Sequence, residues 1–368
     1  MRTTRLTGRL IAKVLAISAM AGLALGCSGK GGEPISAVGL AAETPLPARR
    51  GTALVDGCSL DPWQTQTLAR SQTRRVIKEV LMLCLVPRDG GGLGPSDTAA
   101  RKDLASLITT LHEQGYSVSL GVAFTNETGA RYDAERTAQL LGDIPGRGKL
   151  ADAVLEAAKG ADAVDLDLQG APVSSRNDLS ALAREMSSRL RPAGKKLGIL
   201  LPPSVSVPSD LPDGEAFDRA ELARSVDRFR VMTLDYSSKS GPTTDSGWAV
   251  DAVRLARKGA PQLALDVALP LYGVDFGPAG ARGVSVLEAR GLAATHGVLP
   301  ARGPTGTLHF EYETEAFERH SIWYDDATST GEALGAFATA LDPDVGVLFY
   351  GLGAEDPELF ARLAERTR

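Results

Sequence analysis

From residue 51 onward the chain repeats one pattern: a short apolar run, then a stretch whose apolar residues recur three or four apart with charges between them. The runs are Thr52–Val55, Val80–Val86, Ser117–Ala123, Asp162–Leu168, Lys196–Leu201, Phe229–Thr233, Gln262–Leu269 and Val345–Tyr350. Asp133–Leu141, Leu150–Lys159, Leu179–Leu190, Gly247–Lys258 and Pro357–Ala364 carry the helical spacing. Strands alternating with helices pair in parallel, because a parallel neighbour needs a crossover connection and a helix supplies it. Eight such units across residues 51–368 predict an α/β fold, a (β/α)8 TIM barrel with its functional groups at the C-terminal ends of the strands. An open doubly wound sheet shares the rhythm, but no glycine-rich phosphate loop follows the first strand.

One segment departs from the pattern. Gly277–Thr330 is too long for a βα connection and contains the alternating stretches Thr307–Tyr312 and Ser321–Tyr324. It reads as a small α+β insertion between strands seven and eight, forming one wall of a cleft.

Residues 161–170, Ala-Asp-Ala-Val-Asp-Leu-Asp-Leu-Gln-Gly, carry the chemistry. Side chains on a strand alternate faces, so Asp165, Asp167 and Gln169 share one face while Val164, Leu166 and Leu168 share the other. Aspartate is depleted in strands, and two on one face either meet solvent, as on the wet side of an antiparallel sheet, or line a polar site. Asp162 lies on the opposite face and reads as a structural residue at the strand start.

The spacing Asp162-x-x-Asp165-x-Asp167-x-Gln169 resembles the D-x-x-D-x-D-x-E signature of the family 18 glycoside hydrolases, the chitinase family. Four further blocks follow in the family's order: Val231-Met-Thr-Leu-Asp-Tyr236, Leu269-Pro-Leu-Tyr-Gly-Val-Asp-Phe276, His320-Ser-Ile-Trp-Tyr-Asp-Asp326 with Ser329, and Val347-Leu-Phe-Tyr-Gly-Leu-Gly353. The third is similar to a stretch of the spore-associated, peptidoglycan-type branch. The resemblance runs from Thr52 to the C-terminus and implies a chitinase-like barrel.

Family 18 enzymes cleave β-1,4 bonds beside N-acetylglucosamine by substrate assistance, a retaining route outside the two-carboxylate scheme. The family's glutamate protonates the leaving oxygen while the substrate's own acetamide attacks the anomeric carbon. Here that position is Gln169, and an amide delivers no proton; general acid catalysis contributes typically ~10²–10⁴-fold. The resemblance makes Asp167 the contact to the acetamide N–H, Asp165 the residue behind it, and Asp235 a retained catalytic-site acid. Leu234 stands where a tyrosine helps hold the acetamide oxygen, with Tyr236 next door, and Tyr350 stands where a tryptophan floors the sugar pocket. Tyr272, in the Pro-x-Tyr-Gly block, is assigned to the cleft.

Aromatic residues make up 5% of the chain, so each one near a loop carries weight as a sugar platform. Trp63 and Trp323 are candidates; Trp248 divides between core and platform, and Met232 reads as core. Glu311, Glu313 and Asp275 are the carboxylates that a residual hydrolase would recruit. His112, His296, His309 and His320 lack the H-x-x-x-H spacing, so neither metal nor cofactor is expected. The partner expected is an N-acetylglucosamine-containing oligosaccharide or polysaccharide, bound by a monomer. Glycan binding without turnover leads; weak or altered hydrolysis and a structural envelope role stand beside it.

Composition fits a folded body: 43% hydrophobic and 23% charged residues supply a large core. A formal charge of −5 and the lack of a basic cluster in the body exclude a nucleic-acid surface. The N-terminus reads as targeting. Arg2, Arg5, Arg9 and Lys13 precede the apolar run Val14–Leu25, then Gly26 and Cys27. That order is similar to a bacterial lipoprotein signal over residues 1–27, with Cys27 lipidated and the chain anchored in a cell envelope. An ordinary signal cleaved elsewhere is the alternative. Residues 28–50, rich in Gly, Pro and Ala, read as a flexible tether before the barrel at 51–368. Export permits a disulfide between Cys58 and Cys84, and the sequence leaves that pairing open.

Overall fold

The structure is a computed structural model that describes residues 45–96, 104–126, 132–205 and 214–367. The expected signal, Cys27 and most of the tether lie outside the described residues. The first half of the barrel begins with β1 (Gly51–Val55), α1 (Pro62–Ala69), α2 (Ser71–Val76), β2 (Ile77–Arg88) and β3 (Gly92–Pro95). It continues with α3 (Leu104–Glu113), β4 (Ser117–Ala123), α4 (Ala134–Gly142), α5 (Ile144–Ala157) and β5 (Ala163–Asp167). Then come α6 (Arg176–Leu190), β6 (Lys196–Leu201), α7 (Arg219–Leu222), β7 (Arg228–Val231), α8 (Ser246–Gly259) and β8 (Ala264–Pro270). The insertion holds β9 (Gly273–Gly277), β10 (Gly280–Val284), α9 (Val286–Thr295), β11 (Ala301–Arg302), β12 (Leu308–Glu313) and β13 (Arg319–Tyr324). Helix α10 (Ala327–Ala340), β14 (Gly346–Tyr350) and α11 (Leu359–Arg366) finish the chain.

Parallel pairing runs β1-β14-β8-β7-β6-β5-β4-β2, and a β1–β2 ladder closes the ring into the eight-stranded barrel. β3 only folds back antiparallel on β2. The main apolar core lies between the strands and the helices, with Val164 and Leu166 of β5 facing it. Inside the barrel a smaller apolar layer holds Leu54, Leu81, Leu200, Ala268 and Leu348.

The inserted sheet has the order β10-β9-β13-β12-β11 and packs its apolar side on α9. It begins at Gly273, four residues before the expected start, because Val274 and Asp275 pair with β13. Its last strand ends at Tyr324, and Asp326 caps α10 by accepting from the Ser329 N–H, so residues 327–330 belong to the barrel's helical layer.

The end of the expected tether is fastened rather than loose. Leu46 is buried and pairs with Thr367, and the Arg49 guanidinium donates to the carbonyls of Phe337, Leu341, Asp342 and Val345. The Phe337 and Leu341 carbonyls lie at the C-terminus of α10, where a cation also meets the negative end of the helix dipole, and Asp342 and Val345 lie in the connection to β14. Cys58 and Cys84 are bonded, tying the β1–α1 loop to β2.

Candidate functional site

Asp165 and Asp167 project from β5 into the barrel, as the alternation requires, yet their surroundings differ. Asp165 is fully buried at the barrel floor. Its carboxylate accepts from Arg230 Nε (3.0 Å), Arg228 Nη2 (3.0 Å) and the Ser119 hydroxyl (2.6 Å). Gly198 on the neighbouring strand makes room for it: a Cβ there would collide with Asp165 Oδ1. Burial alone would raise the Asp165 pKa, but the two guanidiniums outweigh it and hold the carboxyl well below the usual range. Arg228 and Arg230 also bind Glu79, and Arg230 binds Asp266 at 2.6 Å, which in turn meets Arg50 at 2.6 Å. Three carboxylates and three guanidiniums therefore form one network. Every polar direction of Asp165 is spent inside it.

Asp167 ends β5 and lies at the barrel mouth. Tyr132, preceding α4, hydrogen-bonds both its carboxylate oxygens, at 3.0 and 2.9 Å. Gln169 follows two residues later and donates from Nε2 to Asp167 Oδ1 (3.1 Å) and to the Tyr132 oxygen (2.9 Å). Phenol, amide and carboxylate close a three-membered hydrogen-bonded ring. Its seat depends on Gly170, where a Cβ would stand 2.5 Å from the Tyr132 Cβ. Carboxylate and amide sit in hydrogen-bonding contact, and the amide at residue 169 supplies no mobile proton.

A second cluster forms across the mouth. Asp235 follows β7 and adopts φ 57°, a left-handed conformation uncommon outside glycine that marks local strain. Its Oδ1 accepts from the Tyr272 hydroxyl at 3.2 Å, and Tyr272 meets Tyr350 edge-on at 6.0 Å. Burial raises the Asp235 pKa against the opposing Tyr272 hydrogen bond, and burial beside Asp235 pushes the Tyr272 phenol well up. β5 and β7 flank β6, so Asp167, at the end of β5, and Asp235, after β7, come from strands separated by a single neighbour.

The remaining candidates are placed as follows. Leu234 and Met232 join the apolar layer inside the barrel, with Tyr350 packed against it. Tyr236 packs its ring at 5.2 Å and a tilt of 52° against Trp248 of α8, beside the helix-facing core. Trp63 donates to the buried Glu355 (3.0 Å) with Arg70 over its ring, so its indole N–H serves the junction of α1 with the loop after β14. Trp323 stacks on His309 at 4.4 Å and donates to Ser240 and Ser321, each at 3.1 Å, joining the insertion to the loop that starts at Asp235. Asp275 is buried within the inserted sheet and held by His320 (2.8 Å), Arg282 (3.2 Å) and Tyr312 (3.2 Å). Glu311 and Glu313 are exposed on β12. Asp162 accepts from the Val118 N–H (2.7 Å) and faces His112 (2.9 Å), fixing the strand start. Among the described residues no cluster of three or more His, Cys, Asp or Glu is arranged to hold a metal, and no helix is long and apolar enough to cross a membrane.

Sequence reasoning missed Tyr132, Glu79, Asp266, Arg228 and Arg230. The two arginines did leave a signal, alternation with Phe229 and Val231 in a strand. Tyr132 left none, since it reaches Asp167 across 35 residues from a loop.

The fold is similar to the Bacillus cereus spore cortex-lytic enzyme SleL (19% identity, TM-score 0.73, covering 88% of this chain and 75% of that one). It is also similar to a chitinase from Chromobacterium violaceum (18% identity, TM-score 0.73, 87% and 99%). A class V chitinase from Pseudomonas fluorescens gives 19% identity, TM-score 0.71, and 86% and 98% coverage. At these identities the likeness is one of fold alone, the (β/α)8 barrel. The sequence matches no family model and no curated protein.

Proposed function

We propose that this protein binds an N-acetylglucosamine-containing glycan, chitin or peptidoglycan, at the barrel mouth without appreciable cleavage. The observation that carries this reading is the ring of Asp167, Tyr132 and Gln169. In the resembled family residue 169 is the proton donor; here its amide is engaged inward with the carboxylate that would meet the acetamide. The solved structures with this fold are named as chitinases and spore cortex-lytic enzymes, which supports a glycan of that class. Lipidation at Cys27, an envelope location and a monomeric chain belong to the same proposal.

Calorimetric titration with tri- and tetra-N-acetylchitooligosaccharides tests it. Wild type gives a saturable isotherm, and Asp167→Ala lowers the affinity about tenfold or more, the usual cost of losing a hydrogen bond to a charged group. A wild-type chain that binds none of these sugars would sink the proposal.

Slow hydrolysis is the second reading, and one observation favours it. Burial raises the pKa of the Asp235 carboxyl, which makes it the group at the mouth that a proton-donating route would use. That route predicts turnover that disappears in Asp235→Asn and persists in Gln169→Ala.

A further inference from the structure

The orientation of the Gln169 amide has consequences for which part of a glycan can sit beside it. An ionised carboxylate only accepts hydrogen bonds, so the amide atom 3.1 Å from Asp167 Oδ1 must be the NH2 group. The Tyr132 hydroxyl, spending its own proton on Asp167, accepts from that same nitrogen at 2.9 Å. Both partners fix one assignment of the amide, which otherwise has to be inferred from its network. The carbonyl Oε1 is therefore turned away from the ring. Among the described residues nothing donates to it, and Gln169 is only partly buried. The mouth thus presents an acceptor at the position where a protonated glutamate would present a donor.

A glycosidic oxygen has lone pairs and no proton. Placed against Oε1 it sets acceptor against acceptor, and two desolvated acceptors repel. A free anomeric hydroxyl at the same place donates to Oε1 and satisfies both groups. We infer that Gln169 selects a chain end: the site takes a 2-acetamido sugar with a free reducing-end hydroxyl in preference to an uninterrupted glycosidic bond. This rests on the proposed glycan binding and names the part of the glycan recognised. A site that pairs a ligand hydroxyl disfavours an analogue that lacks it, because the bound analogue covers the acceptor and leaves it unpaired.

The test compares tri-N-acetylchitotriose with its methyl β-glycoside, in which a methyl group replaces the O1 proton. Wild type binds the free sugar about tenfold more tightly. Gln169→Met keeps the side-chain length and removes the acceptor, and brings the two affinities within about twofold. Equal wild-type affinities, or a preference for the methyl glycoside, would overturn end selection while leaving glycan binding intact. A tenfold preference that survives Gln169→Met would assign the selectivity to another residue and overturn the inference too. If wild type binds neither sugar, the glycan reading itself falls.

Discussion

Asp165 and Asp167 stand two residues apart on one face of one strand, and the barrel uses them in opposite ways. At the floor, Asp165 is enclosed by Arg228, Arg230 and Ser119, and its charge is balanced by groups that have no exit to solvent. At the C-terminal end of β5, Asp167 is equally buried, and a phenol and an amide, both neutral donors, hydrogen-bond its carboxylate. The apolar layer of Leu54, Leu81, Leu200, Ala268 and Leu348 belongs to the same barrel interior. The same residue type is therefore paired with cations in one layer and with neutral donors in the next, and on the proposed function the second layer is the one that meets ligand. A buried ion network is weak evidence of net stabilisation, since desolvation offsets the attraction. Removing one member is a different matter, because it strands the rest.

Arg230→Gln should give the largest effect. It leaves Asp165, Glu79 and Asp266 short of their shared cation and should cost about 3–5 kcal/mol in urea denaturation. Asp167→Ala at the mouth should cost only about 1 kcal/mol while lowering glycan affinity as described above. Comparable stability losses in the two variants would erase the distinction between floor and mouth.

The pH dependence of stability sharpens the comparison. Asp165 is held below its unfolded pKa, so its contribution is present above about pH 4 and is lost as the pH falls through the folded value. Asp325, after β13, has the reverse sign: burial pushes it up to about 6, against hydrogen bonds from Ser329 and Thr307. Its folded form favours the neutral acid, so stability should fall as the pH rises from about 4 through 6. Asp325→Asn should remove that slope and raise stability at pH 8 by up to about 3 kcal/mol. Thermal unfolding across pH 4–8 checks the sign, and an unchanged slope would contradict it.

Much of the fold was legible because parallel strands leave apolar runs and barrel helices leave a 3.6-residue period. The eight expected runs overlap the eight barrel strands, with end shifts such as β7, which stops at Val231 before the chain bends into the left-handed Asp235. Helix α10 was hidden because its sequence, Ala-Thr-Ser-Thr-Gly-Glu-Ala-Leu-Gly-Ala-Phe-Ala-Thr-Ala, has small residues on every face and little charge contrast. At the mouth, Asp167 and Gln169 were visible through spacing, which is a property of one strand. Tyr132 was invisible because it sits outside any strand, just before α4, and reaches the end of the neighbouring β5 through a contact that no strand spacing records. Tyr236, offered through the resemblance beside Leu234, follows a residue with positive φ, and its ring packs on Trp248.

Cleavage of tri-N-acetylchitotriose glycosides carrying a chromophore tests the central claim most directly, with wild type, Gln169→Ala and Gln169→Glu assayed side by side. A carboxyl at residue 169 would lie beside Asp167, and like charge raises the pKa of such a pair, letting it hold a proton near neutrality. We expect wild type and Gln169→Ala to release no chromophore above the uncatalysed background. Gln169→Glu should recover at least about tenfold over wild type, short of the ~10²–10⁴ that a fully positioned general acid provides, since Leu234 stands where the resembled family has a tyrosine and here joins the apolar layer inside the barrel. Efficient release by wild type that survives in Gln169→Ala would contradict the account, since the proton would then come from elsewhere at the mouth.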